Sequence, residues 1–132
     1  MDIYAQNVMD HYKCPRNRGQ LNKPTMSGQQ SNRSCGDTIT VDLEVKDDKV
    51  KAVKFRGQGC AISVAAMSMI SEKMIDKSIG QVLSWKHKDV LELLGVEVGR
   101  RRFKCVVLGI LTVQNIILRQ QKKPERVWDD FV

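Results

Sequence analysis

An α+β fold, with a three-stranded antiparallel sheet and its helices packed on one face, is predicted by three observations. Residues 38–46 alternate strictly, with Ile39, Val41, Leu43 and Val45 set between Thr38, Thr40, Asp42, Glu44 and Lys46, which marks a strand with one buried face. Asp47-Asp48 supplies a tight turn, and residues 50–56 return as a second strand with Val53 and Phe55 inward. Directly after Cys60 the period turns helical: Ile62, Ala65, Ala66, Met69 and Ile70 form one broad apolar face that reaches about Ile75.

The other elements follow in chain order. Residues 2–12 read as a short helix with Tyr4, Val8 and His11 or Tyr12 at helical spacing and Asp2 near its positive end, stopped by Cys14-Pro15. Residues 16–24 are a loop, and Met26 to Gln30 is a short edge strand, the third of the sheet. A shorter helix runs from Ser78 or Ile79 through Leu83, and another from His87 to Leu94, ending at Gly95. Gly99 to Lys104 is a basic connector, with Arg100 to Arg102 read as solvated and a partner-docking role as the alternative. From Cys105 on, Val106, Ile110, Val113 and Ile117 make a second apolar stripe, and Arg119, Lys122 and Lys123 suit the negative helix end before Pro124. A tail from about residue 124 carries Trp128 and Phe131, which either fold back on the body or dock on a partner. His11 and His87 read as surface histidines, and the methionines of 62–75 as core.

No composition shift or repeat divides the 132 residues, so one domain over 1–132 is expected, large enough to hold a core without staples. The four cysteines are widely spaced, unlike a disulfide framework. The opening residues have no basic-then-apolar leader, and the apolar runs at 61–67 and 105–113 are too short to span a bilayer. A cytoplasmic protein with reduced thiols and no membrane association is the expectation. The net charge of +7 suits an acidic partner surface or nucleic acid. Three Phe, two Trp and two Tyr, without basic–aromatic interleaving, argue against a nucleic-acid platform.

The chemistry concentrates in Ser34-Cys35-Gly36-Asp37. A thiol and a carboxylate flank a glycine whose backbone freedom lets both be steered to one point. The hairpin carries Cys35 and Asp37 at its entry and leads into Cys60 at its exit, so these three should be neighbours. Cys60 and Cys105 fall at helix starts, where dipole and free amides favour thiolate, and Lys104 and Arg100 to Arg102 push Cys105 the same way. Three cysteines and one aspartate make a four-ligand set for zinc or a transient iron–sulfur centre. The alternative for each cysteine is a small buried hydrophobe, and that reading is preferred for Cys14. No phosphate-binding glycine loop or nucleophile elbow is present.

Ser34-Cys35-Gly36-Asp37, then 55–63 (Phe-Arg-Gly-Gln-Gly-Cys-Ala-Ile-Ser), then Lys104-Cys105 resemble the U-type iron–sulfur cluster assembly scaffolds, called NifU-like, IscU or SufU. Tyr4 to Gly19, with His11-Tyr12 and Pro15-Arg16-Asn17, is similar to that family's N-terminal segment, and the likeness extends to about Gln121. The resemblance implies a SufE/NifU-like fold in which Cys35, Asp37, Cys60 and Cys105 surround a transient [2Fe-2S] cluster or a zinc ion. It also implies that a cysteine desulfurase delivers sulfur as a persulfide and that apo iron–sulfur proteins receive the product. Lys104 stands where the IscU branch carries a His, and Gly99-Arg100-Arg101-Arg102-Phe103 replaces that branch's Leu-Pro-Pro-Val-Lys stretch, which argues against recognition by the dedicated Hsp70-type chaperone. The Lys resembles the SufU branch, yet the 44 residues between Cys60 and Cys105 are fewer than that branch usually has.

The leading expectation is a scaffold and sulfur acceptor rather than a catalyst. Cys105 takes the persulfide, Cys35 is the competing candidate, Cys60 holds metal, and Asp37 is an exchangeable oxygen ligand. A zinc-dependent sulfurtransferase is the alternative, and a structural zinc site in an interaction module is the third reading.

Overall fold

Strand β2 (Asp37–Lys46) is the middle of a three-stranded antiparallel sheet in a computed structural model that describes residues 3–132. The other two strands are β1 (Met26–Asn32) and β3 (Lys49–Gln58). Pairing runs from Met26 opposite Leu43 to Asn32 opposite Asp37 on one side, and from Thr38 opposite Gln58 to Lys46 opposite Lys49 on the other. Alternation works as predicted on the inner face, where Ile39, Val41, Leu43, Val53 and Phe55 are buried. The turn at Asp47-Asp48 holds both residues at positive φ (53° and 65°), the mirror-type geometry that matches strand twist. Gly57 has φ 135°, and a Cβ there would lie 2.0 Å from the Thr38 carbonyl oxygen, so only glycine fits beside the start of β2.

The outer face is less open than alternation suggests. Residues 17–19 run along the free edge of β3, with Phe55 N–H donating to the Asn17 carbonyl and Gly19 N–H to the Phe55 carbonyl, both at 2.9 Å. The chain then crosses over Asp42, which was expected to be solvated but is 3% exposed. Its carboxylate accepts from Leu21 N–H, Ser27 Oγ and Arg56.

Five α-helices supply the other layer: α1 (Ile3–Lys13), α2 (Ala61–Met74), α3 (Ile79–Ser84), α4 (His87–Leu94) and α5 (Phe103–Gln120). Helix α5 lies on β1 and β2, α2 lies beside it over β3, and α1 and α4 pack on α2. The two long helices approach closely because Gly109 faces Met67: a Cβ at 109 would sit 2.8 Å from the methionine sulfur. Met67, Met69 and Met74 are core residues, as expected. Helix α3 opens with a capping box, Ser78 Oγ accepting from Gln81 N–H and Gln81 Oε1 from Ser78 N–H. Helix α4 ends at Gly95, as predicted.

Helix α2 is buried nearly all round rather than on one face, and its small polar residues receive the N-terminal segment. His11 Nδ1 and Ser68 Oγ are 2.7 Å apart, Arg16 N–H donates to the same hydroxyl, and Asn17 Nδ2 donates to Ser71 Oγ. His11 is therefore a buried residue, not a surface one, and burial with the nearby Arg16 charge lowers its pKa. His87 is half-buried, edge-on to Phe103 at 4.7 Å. Tyr4 and Tyr12 remain exposed, and Asp2 lies outside the described residues.

With the 3-10 turn at Arg100–Arg102, α5 forms a helical stretch over Arg100–Gln120 that by length and hydropathy could cross a membrane. The apolar runs alone did not suggest this, because Thr112, Gln114 and Asn115 interrupt the pattern. Every residue from Cys105 to Leu118 is buried within the fold, so this is the core helix. The tail folds back onto it. Asn115 pairs with the Arg126 backbone in both directions, Arg126 donates to the Leu83 carbonyl and to Gln114, and Phe131 is buried.

Candidate metal centre

The pairing of β2 with both neighbours brings three distant segments to one end of the sheet. Asp37 is the first residue of β2, opposite Asn32, and its neighbour Thr38 is opposite Gln58, two residues before Cys60. Cys60 is the N-cap of α2, and Cys105 lies in the first turn of α5. The ligand atoms of Asp37, Cys60 and Cys105 all lie within 4.8 Å of one another. Cys35 stands outside this group of three, exposed in the four-residue turn between β1 and β2. Its N–H donates to the Asn32 carbonyl at 3.2 Å, and Gly36 beside it takes φ 74°. Cys35, Cys60 and Cys105 line one cleft of about 420 Å³. Cys14 is exposed just after α1 and, like both histidines, does not belong to the cluster.

One contributor escapes sequence reasoning. Ser63 donates from Oγ to Asp37 Oδ2 at 2.8 Å and lies 3.5 Å from Cys60 Sγ, so it links carboxylate and thiol. Its position three residues after Cys60, within the first turn of α2, was the available signal. Arg101 and Arg102, read as a solvated connector beside Cys105, are exposed and also line the cleft with the cysteines. The 3-10 turn before α5 carries them there.

The thiols differ more than their shared place at helix starts predicts. Burial pushes the Cys60 thiol up, but bonds from Ser63, Cys105 and the Ile62 amide outweigh it and the pKa ends lowered. Cys105, expected to be lowered too, is pushed up to about 12, first by burial and then by Cys60. It is 4% exposed, with Sγ 3.8 Å from Asp37 Oδ2. The helix dipole is a small effect beside removal from water. Lys104 is turned away to the tail, its ammonium 5.5 Å from the centroid of the Trp128 ring, a cation–π contact.

Sulfur and oxygen donors in this ratio suit a thiophilic cation. Bonds of about 2.3 Å in a tetrahedron put ligand atoms about 3.7 Å apart, so the three observed donors need only a small inward movement. Cys35 lines the same cleft as the two thiols.

Fold and donor set together describe a small α+β protein with a thiol–carboxylate cluster at the end of its sheet. The chain belongs to the NifU-like N terminal domain family, which residues 3–127 match. It is 31% identical to the zinc-dependent sulfurtransferase SufU of Bacillus subtilis, over 90% of this chain and 92% of that one. It is 36% identical to the iron–sulfur cluster assembly scaffold protein IscU 1 of Archaeoglobus fulgidus, over 95% of this chain and 81% of that one. The crystal structure of a NifU-like protein (N-terminal) from Brucella abortus shares the fold with a TM-score of 0.75, at 19% identity over 92% of this chain and 96% of that one.

Proposed function

We propose that this protein is a cytoplasmic scaffold and sulfur acceptor for iron–sulfur cluster assembly, with Cys35, Asp37, Cys60 and Cys105 as the cargo ligands. One observation carries the reading: a carboxylate and two thiols from distant segments meet within 4.8 Å at a cleft that a third thiol also lines. Held against a cation, the Cys105 thiol would lose its proton despite its burial. Asp37 is the weak member, an oxygen among sulfurs, which suits a site that must surrender its cargo.

Accessibility reverses the preferred entry point for sulfur. Cys105 is buried with its thiol pushed up, whereas Cys35 is exposed at the hairpin turn. We therefore assign first acceptance to Cys35. Its thiolate attacks the outer sulfur of a cysteine desulfurase persulfide, a new S–S bond forms on Cys35, and the donor cysteine leaves as thiolate. The reaction transfers sulfane sulfur without net oxidation. Apo iron–sulfur proteins are the proposed recipients.

The second reading is a zinc-dependent sulfurtransferase using the same ligands. The 31% identity to the zinc-dependent sulfurtransferase SufU supports it. Metal analysis and the absorption spectrum of anaerobically purified protein separate cluster from zinc. Incubation with cysteine and a cysteine desulfurase then tests the acceptor role: a persulfide on Cys35 is expected, and none on Cys35 or Cys105 overturns both readings in favour of a structural zinc site.

A further inference from the structure

The cleft above Cys60 and Cys105 is lined by two cations that no ion pair among the described residues engages. Arg101 and Arg102 line it with Cys35, Cys60 and Cys105, around a volume of about 420 Å³. Small-molecule sites span roughly 300–1,000 Å³. Both arginines are exposed, and among the described residues neither enters an ion pair, whereas Arg16, Arg56 and Arg119 each have a carboxylate partner. The one acid of the site, Asp37, is 4% exposed and already engaged by Ser63 and Cys105, so it does not neutralise them. The neighbouring charges in sequence, Arg33 within the Cys35 turn and Arg100, are of the same sign.

Unpaired guanidinium groups at the mouth of a thiol cleft add little to stability. What they offer is forked donor geometry matched to a carboxylate. Arg102 and Arg101 lie three and four residues before Cys105, on the turn that leads into its helix, so an anion held there rests over the thiols. We infer that this cleft is a binding site for a carboxylate-bearing low-molecular-weight persulfide, whose carboxylate pairs with Arg101 and Arg102 while its outer sulfur passes to Cys35. The inference rests on the sulfur-acceptor reading and adds a second, protein-free route of supply. The Cys35 thiolate attacks the outer sulfur, the Cys35–sulfur bond forms, the donor's S–S bond breaks, and the donor leaves as a small thiolate carrying its electron pair. No oxidant or reductant is consumed.

The test uses a matched pair of donors, N-acetylcysteine persulfide and its methyl ester, which differ in the carboxylate charge. Sulfur added to Cys35 of the purified chain is followed by mass spectrometry, for wild type and for Arg101→Gln/Arg102→Gln. The acid should react about ten-fold more slowly with the double variant, and the ester should change by no more than about two-fold. About 0.5 M sodium chloride should remove most of the wild-type preference for the acid. Arg101→Lys/Arg102→Lys should restore part of the rate, since charge returns without the fork. Equal slowing of both donors, or no slowing of either, overturns the inference. A parallel reaction of wild type with a cysteine desulfurase separates the two levels. If the desulfurase labels Cys35 while acid and ester react alike, only the anion site is overturned. If neither the desulfurase nor either donor labels Cys35, the sulfur-acceptor reading falls and the inference with it.

Discussion

Ser63 Oγ donates to Asp37 Oδ2 at 2.8 Å, so the first turn of α2 is tied to the first residue of β2. Both residues are buried. Ser63→Ala should leave the carboxylate short of its main donor and lower stability by about 1–3 kcal/mol in urea denaturation. An unchanged midpoint and slope would show that the bond contributes nothing.

Asp37→Ala removes the proposed oxygen ligand. If the carboxylate is the labile member, the variant should keep a reconstituted cluster longer than wild type when challenged with an apo-ferredoxin, read as the decay of visible absorbance. Faster loss would refute the labile-ligand idea.

Asp42 sets an acid limit on the fold. Burial raises its pKa, but bonds from Ser27, Arg56 and Leu21 N–H, with the Arg56 charge, outweigh that and leave it below the ordinary carboxylate value. A lowered folded pKa means the stabilisation is complete above the unfolded value, near 4, and is lost as pH falls through the folded one. Asp42→Asn should cost about 1–3 kcal/mol at neutral pH. Its stability should then vary less with pH on the acid side. Parallel pH profiles for the two proteins would contradict the assignment.

Gly57 protects the start of β2 from a distance. Gly57→Ala would place a Cβ 2.0 Å from the Thr38 carbonyl oxygen at φ 135°. A melting-temperature loss matching at least about 1–3 kcal/mol is expected. Because Thr38 adjoins Asp37, zinc affinity in a chelator competition should fall as well, and a melting temperature equal to wild type would rule the clash out.

Much of this was legible before any coordinates. The alternation of Ile39, Val41 and Leu43 gave β2 its inner face, and Gly95 marked the end of α4, because those signals are local. Burial contributed by remote segments was not legible. His11 looked like a surface residue since its partner Ser68 lies 57 positions away. Asp42 looked solvated since its cover is the backbone at Leu21, 21 positions earlier. The convergence of Asp37 with Cys60 followed from hairpin geometry, but the raised Cys105 thiol did not, because helix position says nothing about how much water remains around a sulfur.

The proposed donors are mounted on supports of unequal stiffness. Cys105 sits on the helix that runs through the core, and displacing it would disturb the packing from Val106 to Leu118. Cys35 is held by a turn whose hydrogen bonds are two, both to Asn32: its own N–H to the carbonyl and Ser34 N–H to the side chain. Bending that turn costs little by comparison. In the proposed scaffold role, a cargo held by these four residues would be clamped from the helical side and released from the hairpin side, so that a receiving protein would approach across the tip that bears Cys35.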